Sequence, residues 1–195
     1  MATQRGFVPC RKLGGGWAMT RMFPVSASTN EAYFLGDAVI ASTTGAVRPL
    51  KAGTPLATRP LGVIIGFLDQ NQKPLTHNLP TRGPFLASAQ AGYAMVNCDP
   101  NQTYTAQFDG AVNDAIVFAG CKVSAGAPNT QTGLSGQVLD GTAITTADAQ
   151  FRVLGLAPRQ YIENPRSSAA ASAATPAIVE VMIVNPALGG GGQII

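Results

Sequence analysis

Chemistry needs converging groups, and this chain offers few of them. Its one histidine, His77, stands in the proline-rich stretch DQNQKPLTHNLPTRGP, Asp69 to Pro84. A single imidazole excludes a two-histidine metal site and leaves one candidate for a triad base. Cys98, followed by Asp99, can be imagined as a nucleophile, yet it sits at the end of an expected strand with no base nearby in sequence. No G-x-S-x-G elbow, phosphate loop or pair of histidines occurs. Asp109 and Asp114 flank a turn and could hold a cation weakly, although such acids more often only keep a turn wet. The run Gly189 to Gly192 leads into Gln193 and two isoleucines, a flexible tail and not a phosphate cradle. The chain therefore reads as a non-enzyme with no cofactor and no metal. A hydrolase using Cys98 or His77 is the minority alternative.

The elements that would position these residues are strands. AYFLGDAVIAS (Ala32 to Ser42) is β-rich, with Gly36 and Asp37 marking a kink or turn. LGVIIGFLD places Leu61, Val63, Ile65 and Phe67 on one face and Gly62, Ile64, Gly66 and Leu68 on the other. AGYAMVNC runs into Asp99-Pro100-Asn101-Gln102, where Pro100 suits the second position of a type I turn. In TYTAQFD, Tyr104, Ala106 and Phe108 point inward and Thr103, Thr105, Gln107 and Asp109 outward. AIVFAGCKV reads as one strand with Ala115, Val117, Ala119, Cys121 and Val123 on its inner face, so Cys121 is a packed core residue. Asp140-Gly141 marks a hairpin turn. In AIVEVMIVN, Val179, Val181 and Ile183 point one way, Glu180 and Met182 the other. No stretch shows helical spacing, and 22 Gly with 14 Pro fall at intervals that suit turns. The fold class is all-β: a β-barrel or jelly-roll-like sandwich with an extended N-terminal arm and long polar loops.

Composition narrows the function. Only 12% of residues are charged, about half the usual share of roughly 25%. Ser, Thr, Asn and Gln outnumber the 13 basic and 10 acidic residues two to one. Such a surface repels copies of itself weakly, as suits a chain covered by partners in a permanent assembly. Three widely spaced cysteines (Cys10, Cys98, Cys121) form neither a disulfide framework nor a metal motif. No apolar run approaches the roughly 20 residues of a membrane helix, and the start lacks the centre of a secretion signal. Synthesis in a reducing cytoplasm is expected, with no membrane partner.

The organisation expected is an extended arm at 1–22, an all-β domain at 23–188 and a flexible Gly-rich tail at 189–195. Gly14, Gly15 and Gly16 argue against a stable element in the arm, and its apolar residues show no period. Arg5, Arg11, Lys12 and Arg21 all precede the first acid, Glu31. Four cations spread over that length, with no aromatic platform, do not make a nucleic-acid arm. Trp17, the chain's one tryptophan, either anchors the arm in a groove, its own or a neighbour's, or covers the edge of its own core.

The phrases NEAYFLGDAVIAS, LGVIIGFLDQNQKPLTHNLPTRGPF, AGYAMVNCDPNQTY, FRVLGLAPRQYIENP and VEVMIVNP, within Asn30 to Pro186, resemble the capsid decoration, or cement, proteins of tailed double-stranded DNA bacteriophages. The resemblance implies a virion structural protein on the outer surface of an icosahedral head. It also implies a barrel or jelly-roll domain, a homo-oligomer (trimer or dimer) and the major capsid protein as partner. On that reading the arm residues Arg5, Phe7, Arg11, Lys12, Trp17 and Arg21 would contact the capsid. The alternative is a carbohydrate- or receptor-binding β-sandwich of a tail or fibre, which would need an aromatic platform such as Tyr93 or Tyr104.

Overall fold

The structure, a computed structural model, describes residues 6–25, 30–55, 58–76, 83–110, 112, 116–141, 149–157, 177–184 and 186–187. Among these the chain forms strands without an α-helix. In order they are β1 (Val8–Lys12), β2 (Thr20–Val25), β3 (Tyr33–Phe34), β4 (Ala38–Ala41), β5 (Val47–Pro49), β6 (Gly62–Leu68) and β7 (Phe85–Leu86). There follow β8 (Gly92–Asn97), β9 (Gln102–Asp109), β10 (Gly120–Cys121), β11 (Val123–Ala125), β12 (Gln137–Asp140), β13 (Phe151–Leu156) and β14 (Ala177–Ile183). One sheet runs β10-β13-β14-β9-β12-β11, with β1 added to β9; the other runs β2-β8-β6-β4-β5; β3 and β7 form a small pair. The outer strands β2 and β5 of the five-stranded sheet approach each other, so it curls toward a barrel. The expected all-β architecture is observed.

Alternation builds the first core. Tyr104, Ala106 and Phe108 of β9 meet Phe151, Val153, Val179, Val181 and Ile183, all buried. Ala38, Leu50 and Val63 reach this cluster from the five-stranded side, so the two sheets share it. A second cluster gathers Val25, Tyr33, Val39, Ile64, Phe67, Ala94 and Val96. Cys121 is buried in the first, as its pattern predicts.

Two patterns break, each for a local reason. In β6 the register slips between Ile64 and Gly66, a bulge that makes Ile65 the extra residue and turns it outward. Ile64 and Phe67 then share one face, while Val63 serves the other core. The expected single strand through AIVFAGCKV is instead a turn, closed by Ala119 N donating to Ile116 O at 2.9 Å, then two short strands. Thr103 and Gln107, expected to face outward, are buried. Two expected turns do form. Gln102 N donates to Asp99 O at 3.1 Å around Pro100, and Asp37 N donates to Phe34 O at 3.1 Å around Gly36.

The largest correction concerns the N-terminus. Residues 6–22 are not an arm laid outside the domain. β1 pairs antiparallel with β9, and β2 pairs with β8 across the expected boundary at residue 23. Phe7 is 1% exposed and stacks on Phe151 at a ring-centroid distance of 4.5 Å. The glycines do forbid regular structure, but only at 14–16; the residues on either side are free to join sheets. Arg5 and the tail at 189–195 lie outside the described residues.

Three outer strands, β1, β2 and β5, each carry a proline (Pro9, Pro24 and Pro49), whereas β10 and β11 at the ends of the larger sheet carry none. A residue without an N–H blunts an open edge against pairing with another chain. Strand addition is thereby discouraged at those three edges. Phe7→Ala is expected to lower the unfolding free energy by about 3–5 kcal/mol in a urea titration, as loss of a buried aromatic does. A loss below about 1 kcal/mol would show that Phe7 does not fill the core.

Candidate interaction surface

Between β1 and β2 the chain makes a short excursion whose tip is Leu13 to Trp17. Gly14, Gly15 and Gly16 all have positive φ (87°, 74° and 82°), a run that only glycine adopts without strain. Both ends of the excursion are fastened to the Asp99–Gln102 turn. Leu13 N donates to Asn101 O at 2.8 Å, and Cys98 N donates to Met19 O at 2.8 Å. Asp99 accepts from Lys12 Nζ at 2.8 Å, from Met19 N at 3.2 Å and from Asn101 N at 2.9 Å. Lys12 Nζ also donates to the carbonyl of Trp17 at 2.8 Å. Burial alone would raise the Asp99 carboxyl, but Lys12 and the two amides outweigh it and hold it below its ordinary value.

Arg11 secures the other side. Its guanidinium grips the buried carboxylate of Glu180 on β14 with Nε at 2.7 Å and Nη2 at 2.9 Å. Thr103 Oγ1 donates to Arg11 O, and Gln102 Nε2 does the same, so side chains replace ladder bonds where β1 bulges. These contacts explain why Thr103 is buried on the outer face of β9.

What this framework presents is Trp17, 95% exposed. Neither sequence expectation for the indole holds within the chain: it fills no groove of its own and covers no edge of its core. Arg21, four residues further along on β2, is exposed and has no carboxylate partner among the described residues. Leu13 and Met22 are also exposed. Of the residues expected to touch a partner, Phe7, Arg11 and Lys12 instead hold the segment in place, and Trp17 and Arg21 project. Asp99 and Glu180, the anchors, were not singled out; only the Asp-Pro-Asn turn signal pointed toward the first.

A second exposed aromatic, Phe118, is 67% exposed with φ 67°, and its N–H donates to Val153 O at 2.8 Å. Sequence alternation gave no hint of that backbone state. Tyr104 and Tyr33 are buried, with hydroxyls donating to Asn97 O and Val47 O. Cys98 is buried, its thiol pushed up by burial to about 11, and it donates to Val96 O. A protonated, enclosed sulfur is a poor nucleophile at neutral pH. His77 and Asp114 lie outside the described residues, among which no cluster of metal-ligating side chains occurs.

Comparison with protein-family models, curated proteins and solved structures finds no match.

Asp99→Ala is expected to leave the fold intact and free the loop. Amide hydrogen exchange at Met19 and Leu13 should speed up by roughly tenfold or more, the cost of breaking a buried charged tether. The wild type should show the same loosening as pH falls through the depressed value of Asp99, because stability from a lowered carboxyl is lost in acid. Unchanged protection in the variant would refute the tether.

Proposed function

We propose that this protein is a capsid decoration, or cement, protein that binds the outer surface of an icosahedral phage head and bridges major capsid subunits. The observation that carries the reading is Trp17: an indole almost wholly exposed on a loop that ion pairs and backbone bonds hold in one place. Leaving a large apolar ring in water is costly, and fixing it there beforehand lowers the entropy lost when a pocket receives it. Aromatic anchors of this kind dominate the energy of interfaces.

The remaining features support the same reading. A weakly charged, neutral-polar surface suits a chain that is largely covered in its working state. Prolines on β1, β2 and β5 oppose open-ended strand pairing at those edges, which favours assembly through side-chain contacts there. The resemblance of the phrases within Asn30 to Pro186 directs the choice of partner to the phage shell. Contact runs through Trp17, Leu13 and Met22, with Arg21 meeting carboxylates at the rim. The protein acts as a trimer or dimer at a symmetry axis. Each copy adds buried area across contacts that internal DNA pressure pulls apart, and repetition over the shell multiplies the gain. The carbohydrate-binding alternative loses Tyr104 to the core and retains Trp17 as its main platform.

Trp17→Ala should fold with unchanged stability, since the ring touches no core, and should bind stripped heads at least roughly 30-fold more weakly, the effect of removing an interface hot spot. Undiminished binding by this variant would overturn the contact. A glycan-array signal lost in the same variant would favour the alternative.

A further inference from the structure

We infer that the buried carboxyl of Asp37 is a proton-operated latch on the joint where the two sheets and the entry of the N-terminal strand meet. Asp37 lies in the turn between β3 and β4, and Ser135 lies just before β12 of the other sheet. Ser135 Oγ contacts Asp37 Oδ1 at 2.5 Å, and Phe34 N donates to Oδ2 at 2.8 Å. Both side chains are buried. The same hydroxyl accepts from Gln137 N at 3.0 Å, and Gln137 in turn bonds Ala38 and Leu50. Gly6 rests on this joint so closely that a β-carbon there would come within 2.6 Å of Ser135 Cβ and of Gly36 O. Phe7 N then donates to Gly36 O at 2.9 Å, seating the strand that leads to the Trp17 loop.

No described cation neutralises the carboxylate. Glu31 takes Arg48 and Lys51, Glu180 takes Arg11, Asp99 takes Lys12, and Asp140 takes Lys122. Among the described residues the groups bonded to Asp37 are neutral: the Phe34 amide and Ser135 at its carboxyl and the Ile64 amide of β6 at its carbonyl, with Gly6 of the N-terminal strand packed on Ser135 and Gly36. Burial therefore pushes the carboxyl from 3.8 up to about 7, against the lowering effect of Ser135 and the Phe34 amide. The folded value exceeds the unfolded one, so the stability it gives is present below 3.8 and is lost as pH rises through about 7. Asp99 and Glu31 are held low and act in the opposite sense. The joint is tightest in mildly acidic medium and loosens in alkaline medium, and the seating of Phe7 loosens with it.

The test is a carboxyl-carbon NMR titration of the full chain, with urea unfolding at a series of pH values. The Asp37 resonance should titrate near pH 7. The unfolding constant should rise by up to roughly tenfold per pH unit between about 4 and 7, the limit for one linked proton. Ser135→Ala, which removes a donor to the ionised form, should move the midpoint higher. Asp37→Asn, which mimics the neutral acid, should flatten the slope between about pH 4 and 7 and keep the Phe7 amide protected from exchange. An Asp37 midpoint near its ordinary value overturns the latch even if the Asn variant does not fold. A slope unchanged in a folded Asn variant overturns it equally.

Discussion

Two sheets here share one apolar core, and a few buried polar side chains fix how they meet across it. Gln137 of β12 uses its side-chain amide as a peptide would: Ala38 N donates to its Oε1 at 2.7 Å, and its Nε2 donates to Leu50 O at 2.7 Å. Gln150 does the same elsewhere, accepting from Val123 N and donating to Pro55 O at 3.3 Å. Asp37 and Ser135 complete the set. Each such group left unpaired would cost about 1–3 kcal/mol, so these bonds fix which residues may face each other more than they add net stability. Among the described residues no buried side-chain polar atom lacks a partner. Apolar packing drives the sheets together, and the polar groups set their register.

The N-terminal segment depends on that register twice over. Phe7 enters the shared core beside Phe151, while Lys12 and Arg11 spend their charges on Asp99 and Glu180. Two of the three described cations of this segment, Arg11 and Lys12, are thus internal fasteners. Their effect is to fasten both ends of the glycine-rich tip to the body. An exposed ring on a mobile tail would lose entropy on docking; one on a fastened loop has already lost it. The bond from Phe7 N to Gly36 O ties the turn that holds Asp37 to the strand that leads to the Trp17 loop.

Much of the fold is legible in the sequence, because period-two alternation reports burial directly. Tyr104, Ala106 and Phe108, or Val179, Val181 and Ile183, needed nothing else. Legibility fails where one residue is inserted. A bulge at Ile65 reverses the faces downstream, and no composition rule marks it apart from the neighbouring Gly66. It fails again for strands added at an edge. β1 has five residues and no alternation, since its pairing is carried partly by Thr103 and Gln102 side chains, so its sequence looks like a loop. For the surface, the cation and aromatic types draw attention to the segment that presents Trp17. Which of them hold it and which project depends on Asp99 and Glu180, 80 and more residues away in sequence, beyond the reach of local pattern.

The central claim is that Trp17 is presented to a neighbouring protein and not to water. Hydroxyl-radical footprinting of the free chain and of intact heads measures this directly. The account predicts ready oxidation of Trp17 in the free protein and strong protection in the particle. Equal oxidation in both would contradict it.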